Sequence, residues 1–206
     1  FLPLLSQLYY YAMKYLSFFI LLFIGELSVS AQHMFSRQFP FFNQLSSNEI
    51  FSIHQDREGY FWIGTTNGLA RYDGYQLNTF RTDYKNQNLL TDNGITAIND
   101  NDLYVWIGTW KGLNLYNKKT CRITPFSDAR LLNKVVDAIT VDKDGNVWVS
   151  AGGMIYRCDS TAHIIKEYEV GNIQEGYAIS NIYVDQQKQL WAVGSRGIFR
   201  YEPETD

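Results

Sequence analysis

The sequence predicts an all-β fold, a β-propeller of about four four-stranded antiparallel blades, from three observations. Tryptophans recur at spacings of 44, 42 and 43 residues, at Trp62, Trp106, Trp148 and Trp191. Each one opens a similar phrase of hydrophobic, small and glycine residues. Short apolar segments alternate with turn-forming residues through every period, which is typical of strands. Repeats of roughly 40 to 50 residues with four strands each are typical of propeller blades.

The first repeat indicates how one period divides into strands. The four expected strands are 49–56, 61–65, 69–72 and 75–80. A turn at 57–59 separates the inner strand from the second one. Asn67-Gly68 and Asp73-Gly74 supply the two tight turns that follow, because glycine and asparagine adopt left-handed backbone conformations at little steric cost.

The repeated tryptophans and glycines are predicted to be structural. Side chains at corresponding points of stacked repeats fill the space between blades, so core packing explains the tryptophans. We expect turns to explain the glycines of the phrase, which are Gly64, Gly68, Gly108, Gly112, Gly194 and Gly197. A tyrosine closes each phrase, at Tyr72, Tyr116, Tyr156 and Tyr201.

An aspartate stands six residues before each tryptophan. These residues are Asp56, Asp100, Asp142 and Asp185. Aspartate side chains accept hydrogen bonds from nearby backbone N–H groups in turns. We therefore expect the four aspartates to cap the turn between the first and second strands of each blade.

The number of blades predicts an incomplete propeller. The chain holds four repeats, and the fourth reaches Tyr201 without a segment for an outer strand. Closed propellers have four to eight blades, and an open arc exposes apolar faces and strand edges. We expect remaining blades or a second chain to complete the ring.

Composition excludes several classes of function. With 206 residues, 46% hydrophobic and 16% aromatic, the chain has enough apolar side chains for a core. A net charge of -3 and a pI near 5.6 argue against a nucleic-acid partner. The two cysteines, Cys121 and Cys158, have no metal-binding spacing, so unpaired thiols are expected and no metal or cofactor is predicted.

Residues 1–31 are predicted to be an upstream extension followed by a secretory signal peptide. From Met13, the suspected start, the chain continues with Lys14, an apolar run over 15–24 and small residues before a cleavage site after Ala31. The mature protein would begin near Gln32 in the periplasm, with propeller repeats over 39–206. A membrane anchor is the alternative, but the run is about half the twenty residues that a bilayer requires.

The segment over 56–75 reads Asp-Arg-Glu-Gly-Tyr-Phe-Trp-Ile-Gly-Thr-Thr-Asn-Gly-Leu-Ala-Arg-Tyr-Asp-Gly-Tyr and closely resembles the two-component regulator propeller repeat. The resemblance covers roughly 39–201. It implies the periplasmic sensor of a hybrid two-component system, of the kind found in gut and environmental Bacteroidetes. Such sensors receive a glycan breakdown product and signal to a cytoplasmic histidine kinase.

The signalling parts of such a system are absent from these 206 residues. None of the histidines, His33, His54 and His163, stands in a kinase phospho-acceptor context. We therefore expect a sensor without catalytic residues, whose contact with a membrane runs only through C-terminal parts that this sequence lacks.

Four turn residues are the candidate ligand-binding residues, with an oligosaccharide as the expected partner. Asn67, Trp110, Lys111 and Arg196 lie between the second and third strands of their repeats. An indole stacks on a sugar face, and a cation pairs with a uronate or sulfate. The alternative is that these are ordinary solvent-facing turn residues. Trp110 is the tryptophan outside the repeat register, so packing between repeats does not explain it.

Two other functions stay open at this point. Propeller lyases and lactonases gather His, Glu, Asp and Asn at the central channel, often around a metal ion. This chain offers three scattered histidines and no nucleophile with a recognisable base. A protein-interaction scaffold is the remaining alternative.

Overall fold

The computed structural model describes residues 6–16, 38–82, 89–170, 179–187 and 189–201. The chain divides into two units, Phe1–Phe39 and Pro40–Asp206. The described part of the first unit contains a helix, α1, over 6–16. In the described ranges, no helix has the length and hydropathy needed to cross a membrane. The expected cleavage site after Ala31 and most of the expected signal peptide fall in 17–37, outside the described residues.

The second unit is all-β and contains four antiparallel sheets of consecutive strands. The inner strands are β1 (Ile50–Gln55), β5 (Ile95–Asp100), β9 (Val136–Val141) and β13 (Ile179–Val184). The second strands are β2 (Phe61–Thr65), β6 (Tyr104–Thr109), β10 (Val147–Ala151) and β14 (Leu190–Gly194). The third strands are β3 (Gly68–Tyr72), β7 (Gly112–Asn117), β11 (Met154–Cys158) and β15 (Gly197–Arg200). The outer strands are β4 (Leu77–Phe80), β8 (Arg122–Pro125) and β12 (Ile164–Glu169).

The four sheets pack face to face as propeller blades, which confirms the predicted fold class. The inner strands of successive blades are neighbours, β1 with β5, β5 with β9 and β9 with β13. Three clusters of buried apolar residues lie one at each junction between blades. Among the described residues the fourth blade has three strands.

Three of the four repeated tryptophans fill junctions between blades, as predicted. Trp62 and Trp106 have no exposed surface, and Trp148 is 4% exposed. Trp62 lies 4.8 Å from the ring of Tyr116 in the second blade, measured between ring centroids. Trp191, on the outward face of the fourth blade, is only half-buried. Full burial of a tryptophan therefore requires a following blade.

The glycines of the phrase serve two purposes, and the prediction that turns explain them all is wrong. Gly68, Gly112 and Gly197 do lie in turns, with φ values of 131°, 128° and 136°. Gly64 and Gly108 lie inside strands instead. A Cβ atom on Gly64 would approach Ile95 Cγ2 to 2.7 Å, and one on Gly108 would approach Val136 Cγ1 to 2.7 Å. These two glycines allow the inner strand of the next blade to pack closely.

Gly194 lies one position further along its strand than Gly64 and Gly108 do in theirs. It pairs with Gly197, as Thr65 pairs with Gly68 in the first blade. The residue that matches Gly64 in the fourth blade is Val193, which is 41% exposed. A branched side chain is accommodated there because no blade among the described residues packs on this face.

The tyrosine of the third phrase is likewise out of register. Tyr72, Tyr116 and Tyr201 each follow the tryptophan of their blade by the same number of residues. In the third blade this position is Cys158, which pairs with Val147 as Tyr72 pairs with Phe61. Cys158 is a buried free thiol, and burial raises its pKa to about 12. Tyr156 pairs with Val149 instead, and its hydroxyl accepts a hydrogen bond from Lys134 Nζ at 2.7 Å.

Replacement of Trp62 by alanine should destabilise the chain by about 3 to 5 kcal/mol, because the change leaves a large cavity at the first junction. The matched control is Trp191→Ala, which removes a half-buried indole from a face without a following blade and should cost clearly less. Urea unfolding followed by circular dichroism measures both. Equal losses in the two variants would contradict the assigned packing.

Candidate functional site

Three of the four predicted aspartate caps are confirmed, and each also holds the tryptophan of its own blade. Asp56 accepts hydrogen bonds from the backbone N–H groups of Glu58 and Tyr60, both at 3.0 Å. Its second carboxylate oxygen accepts the Trp62 indole N–H at 2.6 Å. Asp142 binds the Trp148 indole at 3.1 Å and Asp185 binds that of Trp191 at 2.9 Å. The indole hydrogen bond is the main cause that lowers the pKa of Asp185 below its usual value.

The prediction for Asp100 is wrong, because Asn101 caps the turn of the second blade. Asn101 Oδ1 accepts the backbone N–H groups of Leu103 at 3.0 Å and Tyr104 at 2.9 Å. This turn is one residue shorter than that of the first blade, so the six-residue spacing to Trp106 identifies the wrong residue. Within the described residues, the Trp106 indole N–H has no hydrogen-bond acceptor.

Asp100 is thereby available for a buried charged cluster that joins the first two blades. One carboxylate oxygen lies 2.7 Å from His54 Nε2 of the first blade. The other accepts a hydrogen bond from Lys118 Nζ at 2.7 Å and one from the backbone N–H of Arg57 at 3.3 Å. Burial acts to raise the pKa of Asp100, but these hydrogen bonds outweigh it and bring the pKa down to about 2.

The candidate ligand-binding turns lie beside a cavity of about 510 Å³ between the first two blades. Its lining residues are Thr66, Asn67, Thr82, Leu90, Thr91, Asp92, Asn93, Trp110 and Lys111. Three of the four sequence-predicted site residues, Asn67, Trp110 and Lys111, therefore meet at one cavity. Arg196 is exposed in the turn between β14 and β15 of the fourth blade, and it is not among the described residues that line the cavity.

Trp110 combines a packing contact with an open surface. A Cβ atom on Gly94 would approach ring carbons of Trp110 to 2.4 Å, so the absence of a side chain at Gly94 makes room for the indole. The ring also contacts Phe51 of the first blade edge to face, with 6.1 Å between centroids. The Trp110 residue remains 44% exposed. Packing thus fixes the orientation of the indole and leaves part of it accessible to a ligand.

Lys111 is paired within the cavity wall. Its Nζ lies 3.1 Å from Asp92 Oδ2. The other oxygen of Asp92 accepts the backbone N–H of Gly94 at 2.8 Å, which holds the carboxylate in place. The sequence analysis missed Asp92 and Asn93, which belong to the link between the first two blades. Their signal in the sequence is the polar stretch 91–94 directly before an inner strand.

In the described part of the chain, no group of three or more His, Cys, Asp or Glu side chains has the geometry to hold a metal ion. His54 belongs to the Asp100 cluster, and exposed His163 lies in the turn after β11. Burial raises the pKa of Asp137 to about 6, which marks it as a perturbed carboxyl in β9. His33 lies outside the described residues.

A family model for the Two component regulator propeller matches residues 44–67 and 130–153. Each matched segment contains an inner strand, the following turn and the second strand, in the first and third blades. Two segments of the chain therefore resemble this repeat, one in the first blade and one in the third. No curated protein sequence matches the chain.

Solved structures similar to this chain include two extracellular domains of putative hybrid two component systems from B. thetaiotaomicron. Both are 22% identical, with TM-scores of 0.61 and 0.62, and the matches cover 76% and 79% of this chain. The chain spans only 22% of the length of either domain. At this identity the likeness establishes the fold.

An enzyme is also among the similar structures. Catalytically inactive virginiamycin B lyase from Staphylococcus aureus, solved with quinupristin, is 18% identical with a TM-score of 0.59. The match covers 79% of this chain and 56% of the lyase. Because one fold occurs both in extracellular domains of putative hybrid two component systems and in a lyase, the function of this chain has to be argued from its own residues.

The Asp100 cluster predicts a loss of stability in acid. The contribution of ionised Asp100 is complete above its ordinary pKa of 3.8 and is lost as the pH falls towards 2. As the pH falls from 3.8 to 2, the unfolding free energy of the parent chain should decrease by on the order of 2 kcal/mol more than that of the Asp100→Asn variant. Urea unfolding at a series of pH values measures the difference. Exposed Asp102→Asn is the matched control and should follow the parent; equal pH slopes in parent and Asp100→Asn would contradict the role of the cluster.

Proposed function

We propose that this chain is the ligand-binding part of an extracytoplasmic sensor in a hybrid two-component signalling protein, exported to the periplasm, with a glycan breakdown product as its ligand. The regulator propeller repeats and the structural likeness to extracellular domains of such systems support the signalling role. The observation that carries the proposal is the cavity that brings Asn67, Trp110 and Lys111 together between two blades.

The chemistry of the cavity suits recognition without turnover. Its volume of about 510 Å³ falls in the range of small-molecule sites. An indole held by packing provides an apolar surface for a sugar ring, and the surrounding threonine and asparagine side chains provide polar groups for hydroxyls. We propose that the chain itself is non-catalytic, and that signal transmission belongs to other parts of the protein.

We further propose that additional blades, or a second chain, cover the outward faces of the arc. On the fourth blade, Tyr183, Val193 and Ile198 are 61%, 41% and 69% exposed. On the first blade, Ile53 is 67% exposed, whereas the matching isoleucines Ile98, Ile139 and Ile182 are buried under a neighbouring blade. Exposed apolar patches of this kind are typical of interaction surfaces.

Val193 adds a requirement for whatever covers the fourth blade. Gly64 and Gly108, at the matching position, accept the first residue of the next inner strand at very short range. The branched side chain of Val193 fills that space. At the third junction Ser150 occupies this position and Ile179 still begins the next inner strand, so the covering blade has to accommodate a side chain larger than serine.

Ligand binding is the direct test. A panel of oligosaccharides titrated into the chain by calorimetry should give saturable binding without product release. Trp110→Ala should weaken binding at least about tenfold, because loss of a well-placed contact worth 1.4 kcal/mol has that effect. Arg196→Ala, which changes an exposed turn residue outside the cavity lining, is the control.

Each alternative has its own outcome in this experiment. Release of cleaved product would favour a propeller lyase or lactonase. No saccharide binding, together with capture of a defined protein, would favour an interaction scaffold. An equal loss of affinity in Arg196→Ala would place the ligand on a wider rim that includes the fourth blade.

The uncovered faces predict self-association of the chain at raised concentration. Ile198→Asp places a charge on the outward face of the fourth blade and should shift the chain towards the monomer in analytical ultracentrifugation, with little change in unfolding free energy. Ile165→Asp, at an exposed position of the outer strand β12, is the matched control. An unchanged sedimentation profile in Ile198→Asp would contradict the proposed interface.

A further inference from the structure

The polar groups of the cavity between the first two blades point to the charge of its ligand. Most of the lining polar atoms are already engaged with the protein. The Thr91 hydroxyl contacts Thr109 Oγ1 at 3.0 Å and accepts a hydrogen bond from Asn114 Nδ2 at 2.9 Å. The Thr66 hydroxyl donates to Ser47 Oγ at 2.7 Å. These contacts hold the two hydroxyls in the wall and use part of their hydrogen-bonding capacity.

Four polar groups at the cavity have no hydrogen-bond partner among the described residues. Asn93 uses its Oδ1 to accept the Thr82 backbone N–H at 2.8 Å, which leaves its Nδ2 donor unused. Asn67 uses Nδ2 towards the Ser46 carbonyl at 3.3 Å, which leaves its Oδ1 acceptor. The hydroxyl of Thr82 and the indole N–H of Trp110 are the other two. Together they provide both donors and acceptors, and none of them carries a charge.

The cationic group of the cavity lining is already matched by an anion. Lys111 Nζ pairs with Asp92 at 3.1 Å, and the Asp92 carboxylate is held by the Gly94 backbone N–H. An acidic ligand would have to displace this carboxylate or approach it, and like charges at short range repel. A ligand whose hydroxyls both donate and accept meets the four unused groups without disturbing the pair.

We propose that the cavity selects an uncharged sugar and discriminates against uronates and sulfated sugars through the Asp92–Lys111 pair. The inference rests on the proposed function, because it names the class of glycan that the sensor site accepts. It differs from the sequence-based expectation, in which Lys111 pairs with an acidic sugar. Asp92 acts as a specificity-determining residue: it occupies the cation that an acidic ligand would need.

The test compares neutral and acidic oligosaccharides of equal length on four forms of the chain. The probes are oligosaccharides of glucose, xylose, mannose and galactose, with oligogalacturonates as the acidic set. The parent should bind at least one neutral probe and bind the matched oligogalacturonate at least about tenfold more weakly. Asp92→Asn keeps an oxygen for the Gly94 N–H and frees Lys111, so it should gain affinity for oligogalacturonate at least about tenfold.

Two further variants separate specificity from changes in stability. The double variant Asp92→Asn/Lys111→Met should lose the gained oligogalacturonate binding and keep the neutral sugar. The gain in Asp92→Asn should also decrease with added salt, because it depends on a solvent-exposed charge pair. Asp102→Asn removes an exposed carboxylate that does not line the cavity and should leave both affinities unchanged.

The outcomes distinguish this inference from the proposed function. Parent binding of oligogalacturonate equal to or tighter than any neutral sugar would overturn the inference and leave the sensor proposal standing. An Asp92→Asn variant without any gain for the acidic probe would overturn it as well. Absence of saccharide binding in every form would overturn the proposed function and this inference together.

Discussion

Packing of one blade's tryptophan against the face of the next blade is the interaction on which the structure depends. A four-stranded sheet of this size has two apolar faces and cannot bury them alone, so each blade is stable only beside a neighbour. Trp62 shows how the contact is assembled: Asp56 fixes the indole from its own blade, and Tyr116 covers it from the next. Arg71 completes the arrangement by donating a hydrogen bond to the Tyr116 hydroxyl at 2.6 Å. The third junction repeats the pattern, with Trp148 between Asp142 and Tyr201.

The second junction lacks both partners of the tryptophan and depends on other contacts. Asn101 takes the place of the capping aspartate, and Cys158 takes that of the covering tyrosine. Trp106 nevertheless remains fully buried, with Phe126 at 6.0 Å between ring centroids. Hydrogen bonds between inner strands add to this apolar packing, from Thr96 Oγ1 to the Val136 carbonyl at 2.5 Å and from Asn99 Nδ2 to that of Ile139 at 3.2 Å. The second junction tolerates asparagine and cysteine at these two positions because burial of the large indole contributes most of the stabilisation.

The first junction carries functional groups at two separate places. The Asp100 cluster, formed with His54 and Lys118, ties the blades together through buried charges. The cavity with Trp110 uses the link between the same blades as part of its wall. Binding sites between rigid elements keep their side chains in place, and here Gly94 and Phe51 hold the indole in position. The blade pair thus supplies both the anchoring and the candidate recognition surface.

The sequence by itself determined the repeat period, the strand order within a blade, the apolar junctions and the turns with Asn67, Trp110 and Lys111. These features follow from the spacing of residues and from hydrophobic alternation, and both can be read directly from a single sequence. Alignment of the inner-strand isoleucines Ile53 and Ile98 would also have identified Asn101 as the cap. Only the tertiary structure decided the strand role of Gly64, the pairing of Asp92 with Lys111 and the location of Arg196 away from the cavity. Those outcomes depend on which surfaces of neighbouring blades meet. The spacing of residues along one strand does not determine the distances between side chains of different blades.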